Sequence, residues 1–155
     1  MKGNEKVIAI LNDFLADELT AINQYIVHSE MCANWGYEKL HKKVEQRAIE
    51  EMKHAEKLIA RILFLEGIPM VSALKKMNIG ANVEFQLKHD LEAEAGAIQA
   101  YNEGIRLCLE VGDNGSRDLI DSNLHDEEEH LDWLEAQLDQ IGQMGLHNYL
   151  LSQAG

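Results

Sequence analysis

In each of four long apolar stripes in this sequence, a glutamate stands where a hydrophobic side chain is expected. The first stripe reads Ile8, Leu11, Leu15, Glu18, Ile22, Tyr25, Ser29, and the second Val44, Ala48, Glu51, Ala55, Leu58, Ile62, Leu65. The third reads Leu87, Leu91, Glu94, Ile98, Tyr101, Ile105, Cys108, and the fourth Ile120, Leu124, Glu127, Leu131, Leu134, Leu138, Ile141. Steps of three and four residues are the signature of a helix that buries one face. A carboxylate on such a face is expensive without a partner. Four of them at one level repel one another unless cations or protons neutralise them.

The carboxylates have company. Glu51 is followed by His54 and Glu127 by His130, a Glu-x-x-His spacing that sets both side chains on one helical face. One such pair is more often a solvated acidic face than a site. Here the pattern is repeated: 33 residues separate Glu18 from Glu51 and Glu94 from Glu127. An offset of 76 carries Glu18, Tyr25, Glu51 and His54 onto Glu94, Tyr101, Glu127 and His130. Two helical hairpins, each giving one Glu and one Glu-x-x-His, are the simplest reading.

The breakers delimit the elements. Helices are predicted over 5–34, 38–66, 83–111 and 117–141, with Asn34 and Gly36, Gly67 and Pro69, a Gly112–Gly115 turn, and Gly142 and Gly145 as stops. Ser116 is the expected N-cap of the fourth. Residues 67–82 form a long connection, and sixteen extended residues reach roughly 50 Å. A helix of about 28 residues is roughly 42 Å long. The connection can therefore run the whole length of the bundle, which permits the third helix to start at the far end, as in bundles with one long crossover. The apolar tail Leu146, Tyr149, Leu150, Leu151 suits a short fifth helix. The expectation is an all-α four-helix bundle, with residues 1–155 as a single domain. Second apolar edges on the first helix (Leu19, Ile26) and the second (Ile49, Met52, Ile59, Leu63) call for a further packing partner.

Composition narrows the chemistry. A net charge of −13 and the absence of a basic patch or tail argue against nucleic acid as a partner. Without a signal region or an apolar run of ~18 residues, a cytoplasmic protein with no membrane association is expected. Cys32 and Cys108 form no Cys-x-x-Cys and are expected as buried free thiols. Four Glu and two His without thiolate disfavour a structural zinc cage and suit iron or manganese. Six ligands are enough for two ions, with Glu51 and Glu127 bridging and Glu18 with His54 and Glu94 with His130 as terminal pairs. Tyr25 and Tyr101 need hydrogen-bond partners if buried, and nearby carboxylates can supply them. Trp133, one turn after His130, is expected to pack.

This ligand set is the one used by ferritin-like di-iron bundles, and the chain resembles the bacterioferritins over essentially its whole length. The resembling stretches are Met1-Lys-Gly, Glu18-Leu-Thr-Ala-Ile-Asn-Gln-Tyr25, Glu51-Met-Lys-His54-Ala, Arg61-Ile-Leu-Phe-Leu-Glu-Gly67, Asn78-Ile-Gly80, Glu127-Glu-Glu-His130-Leu-Asp-Trp133-Leu-Glu135 and Gly145-Leu-His-Asn-Tyr-Leu150. The resemblance implies a ferritin-like cage of twenty-four subunits built from two-fold dimers. It implies a ferroxidase centre at Glu18, Glu51, His54, Glu94, Glu127 and His130, oxidising Fe(II) with oxygen or hydrogen peroxide and storing a ferric mineral. It implies a b-type haem, or a related iron porphyrin, shared between two subunits and ligated by Met52, with Leu19, Ile22, Asn23, Ile26, Ile49 and Lys53 around it. Reductive iron release would draw electrons from a small ferredoxin. The chain departs from the family at Glu45, Gln46 and Leu58, where aromatic or histidine residues are common. The alternatives are a rubrerythrin-like peroxide-reducing protein, which normally carries a thiolate iron module, and a non-haem ferritin-like cage.

Overall fold

A computed structural model describes residues 1–155 as five helices and no strand. These are α1 (Glu5–Trp35), α2 (Glu38–Phe64), α3 (Val83–Val111), α4 (Asn114–Met144) and α5 (Leu146–Gln153). Three of the four long helices, α1, α3 and α4, start and stop on residues suited to that role. The Asn4 carboxamide oxygen accepts from the amides of Lys6 and Val7 at 2.9 and 3.3 Å, and Asn82 accepts from Phe85 at 2.9 Å. Gly36 and Gly112 close α1 and α3 in the left-handed region, at φ 84° and 75°.

Three boundaries differ from expectation by two residues or more. Helix α2 ends at Phe64 rather than 66, and Glu66, not Gly67, takes the left-handed turn at φ 63°. Gly67 is needed for another reason: a Cβ there would lie 2.6 Å from Ile8 Cγ2. Helix α4 begins at Asn114, and its cap is Asp113 rather than Ser116. Asp113 accepts from the Ser116 amide at 2.9 Å and from its hydroxyl at 2.7 Å. Arg61 of α2 donates to Asp113 at 2.8 Å and to the Ser116 hydroxyl at 2.9 Å, tying the two hairpins together. Gly115 is helical and lies beneath that guanidinium. At the other end α4 passes through Gly142 and stops at Gly145.

The core is split. Toward one end, Val7, Leu11, Phe14, Leu58, Ile62 and Ile120 form an apolar cluster with their neighbours. Toward the other, Cys32, Leu40, Leu87, Leu134, Ile141 and Tyr149 form a second. Helix α5 joins the second cluster through Tyr149, whose hydroxyl donates to Gln137 at 2.8 Å. Both cysteines are free and buried, as expected. The predicted α2 stripe is buried from Val44 to Leu65, while Ile49, Met52 and Leu63 on its second edge stay exposed, as does Ile26 of α1. No helix is long and apolar enough to cross a membrane.

The crossover runs along α1, and α1 side chains satisfy its backbone. Asn12 bonds both Ile68 and Met70 (3.1 and 2.8 Å), Thr20 accepts from Lys75 (2.8 Å), and Gln24 accepts from Asn78 (3.1 Å). His28 accepts from the Gly80 amide at 3.0 Å through Nε2, and its Nδ1 faces Asp90 at 2.9 Å. A chain without secondary structure can cross the bundle because this polar ridge meets its amides in sequence.

Although burial pushes the Asp113 carboxyl up, hydrogen bonds from Ser116 and Arg61 together outweigh it and hold the group below its ordinary 3.8. A carboxyl lowered on folding stabilises fully above its unfolded value, and that contribution fades as pH falls through the lower folded value. Asp113→Ala is expected to cost about 1–2 kcal/mol at pH 7. In urea unfolding, the gap to wild type should be constant down to about pH 4 and narrow below it. A gap independent of pH would mean that the carboxylate charge contributes nothing.

Candidate metal centre

Between the two apolar clusters lies a polar layer. Glu18, Glu51, His54, Glu94, Glu127 and His130 all come together there, each 6% exposed or less. The four helices deliver them as the stripes predict: Glu18 from α1, Glu51 and His54 from α2, Glu94 from α3, Glu127 and His130 from α4.

The outer carboxylates are held from across the bundle. Tyr101 of α3 donates its hydroxyl to Glu18 of α1, and Tyr25 of α1 donates to Glu94 of α3. This exchange follows the internal two-fold repeat. Each tyrosine binds the glutamate of the other hairpin, not the one two turns back on its own helix. Burial, reinforced by neighbouring carboxylates, raises both phenols well above their ordinary range, so they act as donors.

The central carboxylates each face two ways. Glu127 turns Oε1 toward His54 Nδ1 at 3.3 Å, while its Oε2 accepts from Arg47 Nη2 at 2.8 Å. Glu51 likewise turns Oε2 toward His54 Nδ1 at 3.6 Å and Oε1 toward Arg47 Nη2 at 2.7 Å. The centre thus has two halves. In one, Glu18, Glu51, His54 and Glu127 bring ligand atoms within 4.8 Å of one another. Three of those atoms, Glu18 Oε2, His54 Nδ1 and Glu127 Oε1, are buried and make no hydrogen bond. Their approaches to one another fall outside hydrogen-bond geometry, so charge alone joins them. In the other half, Glu94 meets His130 Nδ1 at 3.0 Å and Arg47 Nη2 at 3.6 Å.

Electrostatics differs between the halves. Burial lowers the His54 pKa, but the facing carboxylates of Glu127, Glu18 and Asp126 outweigh it and hold the imidazole at about 10. His54 is therefore cationic at neutral pH. His130 goes the other way, down to about 3, through burial and the adjacent Arg47 charge, and is neutral. Burial and repulsion from Glu127 raise Glu18. Glu127 is also pushed up by burial, but His54 and Arg47 bring it below its ordinary value.

Two participants were not anticipated from sequence. Arg47 is buried in the centre, and its only prior signal is position: it precedes Glu51 by four residues and so shares its face. Asp126 accepts from His54 Nε2 at 2.8 Å, directing Nδ1 at the carboxylates. Its only signal is adjacency to Glu127. Of the remaining candidates, Trp133 stacks on His130, with centroids 5.8 Å apart and planes 9° apart, and Lys43 lies over it. Met52 stands outside the centre on the exposed α1/α2 face with Ile26 and Ile49. Leu58 lies in the apolar core. Cavities flank the centre on both sides. One of about 450 Å³ touches all four glutamates and is bordered by Asp13, Asp17 and Lys75. One of about 80 Å³ is lined by Gln46, Arg47, Glu50, Asp126 and His130 among others.

A four-helix bundle with a long crossover, a short fifth helix and this inward carboxylate–imidazole set defines the ferritin-like class. A family model described as a ferritin-like domain matches residues 8–144. The chain is 46% identical to a bacterioferritin of Brucella melitensis, over 96% of this chain and 92% of that protein. It is 44% identical to a bacterioferritin of Rhodobacter capsulatus, over 99% and 96% of the two chains. It is also 44% identical to a bacterial ferritin of Neisseria meningitidis, over 99% of each. The chain belongs to the bacterioferritin family.

Asp126→Ala is expected to weaken binding of the first divalent ion by about 10–100-fold, because the imidazole loses the acceptor that orients it. Zn²⁺ titration calorimetry on metal-free protein measures this. Unchanged affinity would show that packing alone fixes the His54 ring.

Proposed function

We propose that the protein stores iron and oxidises it. Fe(II) is the substrate, the six-residue centre is the ferroxidase site, and a ferric mineral is the product held inside a cage of twenty-four subunits. One observation carries this reading: Glu51 and Glu127 each present one oxygen to each half of the centre, flanked by Glu18 with His54 and by Glu94 with His130. That is the arrangement needed to hold two cations a few ångströms apart through shared carboxylates. The buried unpaired atoms Glu18 Oε2, His54 Nδ1 and Glu127 Oε1 have no other use in the fold.

The residues divide the work. Carboxylates are hard, anionic ligands that hold iron in both oxidation states, and the imidazoles complete the coordination. Tyr101 and Tyr25 fix the rotamers of Glu18 and Glu94. His54 releases its proton when a metal takes Nδ1, as ligand imidazoles must. Two Fe(II) ions supply two electrons. Oxygen accepts them with two protons as hydrogen peroxide, or hydrogen peroxide accepts them with two protons to give two molecules of water. The acidic cavity beside Glu18 attracts Fe(II), in keeping with the net charge of −13.

The exposed apolar face of α1 and α2 is the surface through which copies of the chain pair. Met52, Ile49 and Ile26 are all exposed on α2 and α1, and Leu19, Ile22, Asn23 and Lys53 are the further residues that would border a haem there. A thioether on an apolar face fits a b-type haem, which Met52 would help to hold. Bound there, the haem would supply a one-electron carrier for iron release, with a small ferredoxin as donor. The cytoplasm is the compartment that suits this chemistry. A rubrerythrin-like function is disfavoured because Cys32 and Cys108 lie apart in different apolar clusters.

In stopped-flow oxidation of Fe(II), wild type should show a fast phase saturating at about two irons per subunit. Glu94→Ala should lose it. Absence of a fast phase in both proteins would leave only a ferritin-shaped container. Met52→Leu should abolish haem absorption and leave the fast phase largely intact, because the two sites lie on different faces of α2. Loss of both would mean that the sites are coupled.

A further inference from the structure

Arg47 is the least expected side chain in the centre. It is 4% exposed, and its guanidinium lies among carboxylates that the proposed reaction reserves for iron. Nη2 contacts Glu51 Oε1 at 2.7 Å, Glu127 Oε2 at 2.8 Å and Glu94 Oε2 at 3.6 Å. These oxygens belong to the half of the centre that also holds His130. The opposite half directs the other oxygens of Glu51 and Glu127 at His54 and Glu18. A guanidinium nitrogen therefore stands at the focus of three carboxylates, in the position that pairs with the Glu18/His54 focus.

The attachment of Arg47 is incomplete in an informative way. Nη1 points outward to Glu50 at 2.9 Å, and Nε has no hydrogen-bond partner. Arg61, which clamps α2 to α4, uses Nε and Nη2 in two well-formed bonds. Arg47 also makes two good bonds, Nη2 to Glu127 inside and Nη1 to Glu50 at the rim, but its Nε is left free, so one side chain bridges the centre and its edge. Glu50 is 41% exposed at its side chain and borders the cavity of about 80 Å³, with Gln46, Asp126 and Glu129. That cavity sets the carboxylates of Glu50, Asp126 and Glu129 against the single lysine Lys43, within reach of a long, flexible side chain, on the α2/α4 side, whereas the larger cavity beside Glu18 is lined mainly by α1 and α3.

We propose that Arg47 is a built-in cation that occupies the Glu51/Glu94/Glu127 half of the centre and swings out to Glu50 and the smaller cavity when a second divalent metal ion binds. The proposal rests on the two-ion reading above. It makes the halves unequal. The first ion enters at Glu18, Glu51, His54 and Glu127, where no side-chain cation other than the His54 proton must leave. The second must break the short guanidinium contacts to Glu51 and Glu127, and charge-assisted contacts of this kind are the strong ones. Arg47 also holds the metal-free centre together, because it cancels part of the repulsion among buried carboxylates.

Zn²⁺ titration of the assembled metal-free protein tests this without oxidation chemistry. Wild type should bind one ion per subunit tightly and a second about tenfold or more weakly, a difference of about 1.4 kcal/mol or more. Arg47→Gln should bind both ions with affinities within about threefold. The metal-free variant should also melt several degrees lower, and saturating Zn²⁺ should restore the difference. Two equal sites in wild type, unchanged in Arg47→Gln, would overturn the proposal and leave the two-ion reading standing. No ion bound by either protein would overturn both. Should Arg47→Gln fail to assemble, crystals of wild type at one equivalent and at excess Zn²⁺ decide the matter. The guanidinium should contact Glu51 and Glu127 at one equivalent and Glu50 alone at excess. An identical Arg47 position with two ions bound would overturn the proposal.

Discussion

The bundle is organised around a cost, the burial of four glutamates at one level between two apolar clusters. Isolated ionised carboxylates do not survive in such a place. Each here is offset by something specific. Glu18 and Glu94 take tyrosine hydroxyls from the opposite hairpin, Glu51 and Glu127 take Arg47, and His54 carries a proton that faces three of the four. Without metal the centre is a network of protein cations and protons that hold ligands near the positions a metal ion needs. The two apolar clusters supply the burial that stabilises the fold, and the layer between them is left to be polar.

Much of this is legible along the sequence because helical periodicity is strict. A Glu on an apolar stripe can point only inward, and the 76-residue offset copies the inward set from one hairpin to the other. The length of the 67–82 connection, set against helix length, allows α3 to begin at the far end of the bundle. Finer features rest on contacts between distant segments. Nothing local says that Gly67 is required for packing against Ile8, leaving Glu66 to turn the chain, or that Asp113 rather than Ser116 caps α4 once Arg61 reaches both. The crossed tyrosines are of the same kind: the repeat reveals that they are equivalent, but only the packing of α1 against α3 reveals that they exchange partners.

Arg47 is illegible for a different reason. An arginine four residues before a glutamate on a helix is ordinarily a surface ion pair worth a few tenths of a kcal/mol. Only the convergence of α3 and α4 on that face turns the pair into a buried cluster. Glu50 compounds the ambiguity, because it is adjacent to Glu51 and would take the same guanidinium on an exposed helix. In the structure Arg47 reaches both, Nη1 to Glu50 and Nη2 to Glu51.

A guanidinium differs from a metal ion in ways that bear on what the centre can do. It spreads one positive charge over a plane and accepts carboxylate oxygens only at its edges, whereas a divalent ion concentrates two charges and draws ligands in from all directions. Exchanging one for the other raises the local positive charge and adds a role for His130, which is neutral and already beside Glu94. Potassium or a proton brings no such gain, so the exchange favours multivalent ions over abundant monovalent ones. The departing guanidinium also moves toward the carboxylates of Glu50, Asp126 and Glu129, so the outward swing of Arg47 is itself compensated. A centre built in this way resists collapse when metal is scarce and opens its second half only to an ion that binds more strongly than the arginine does.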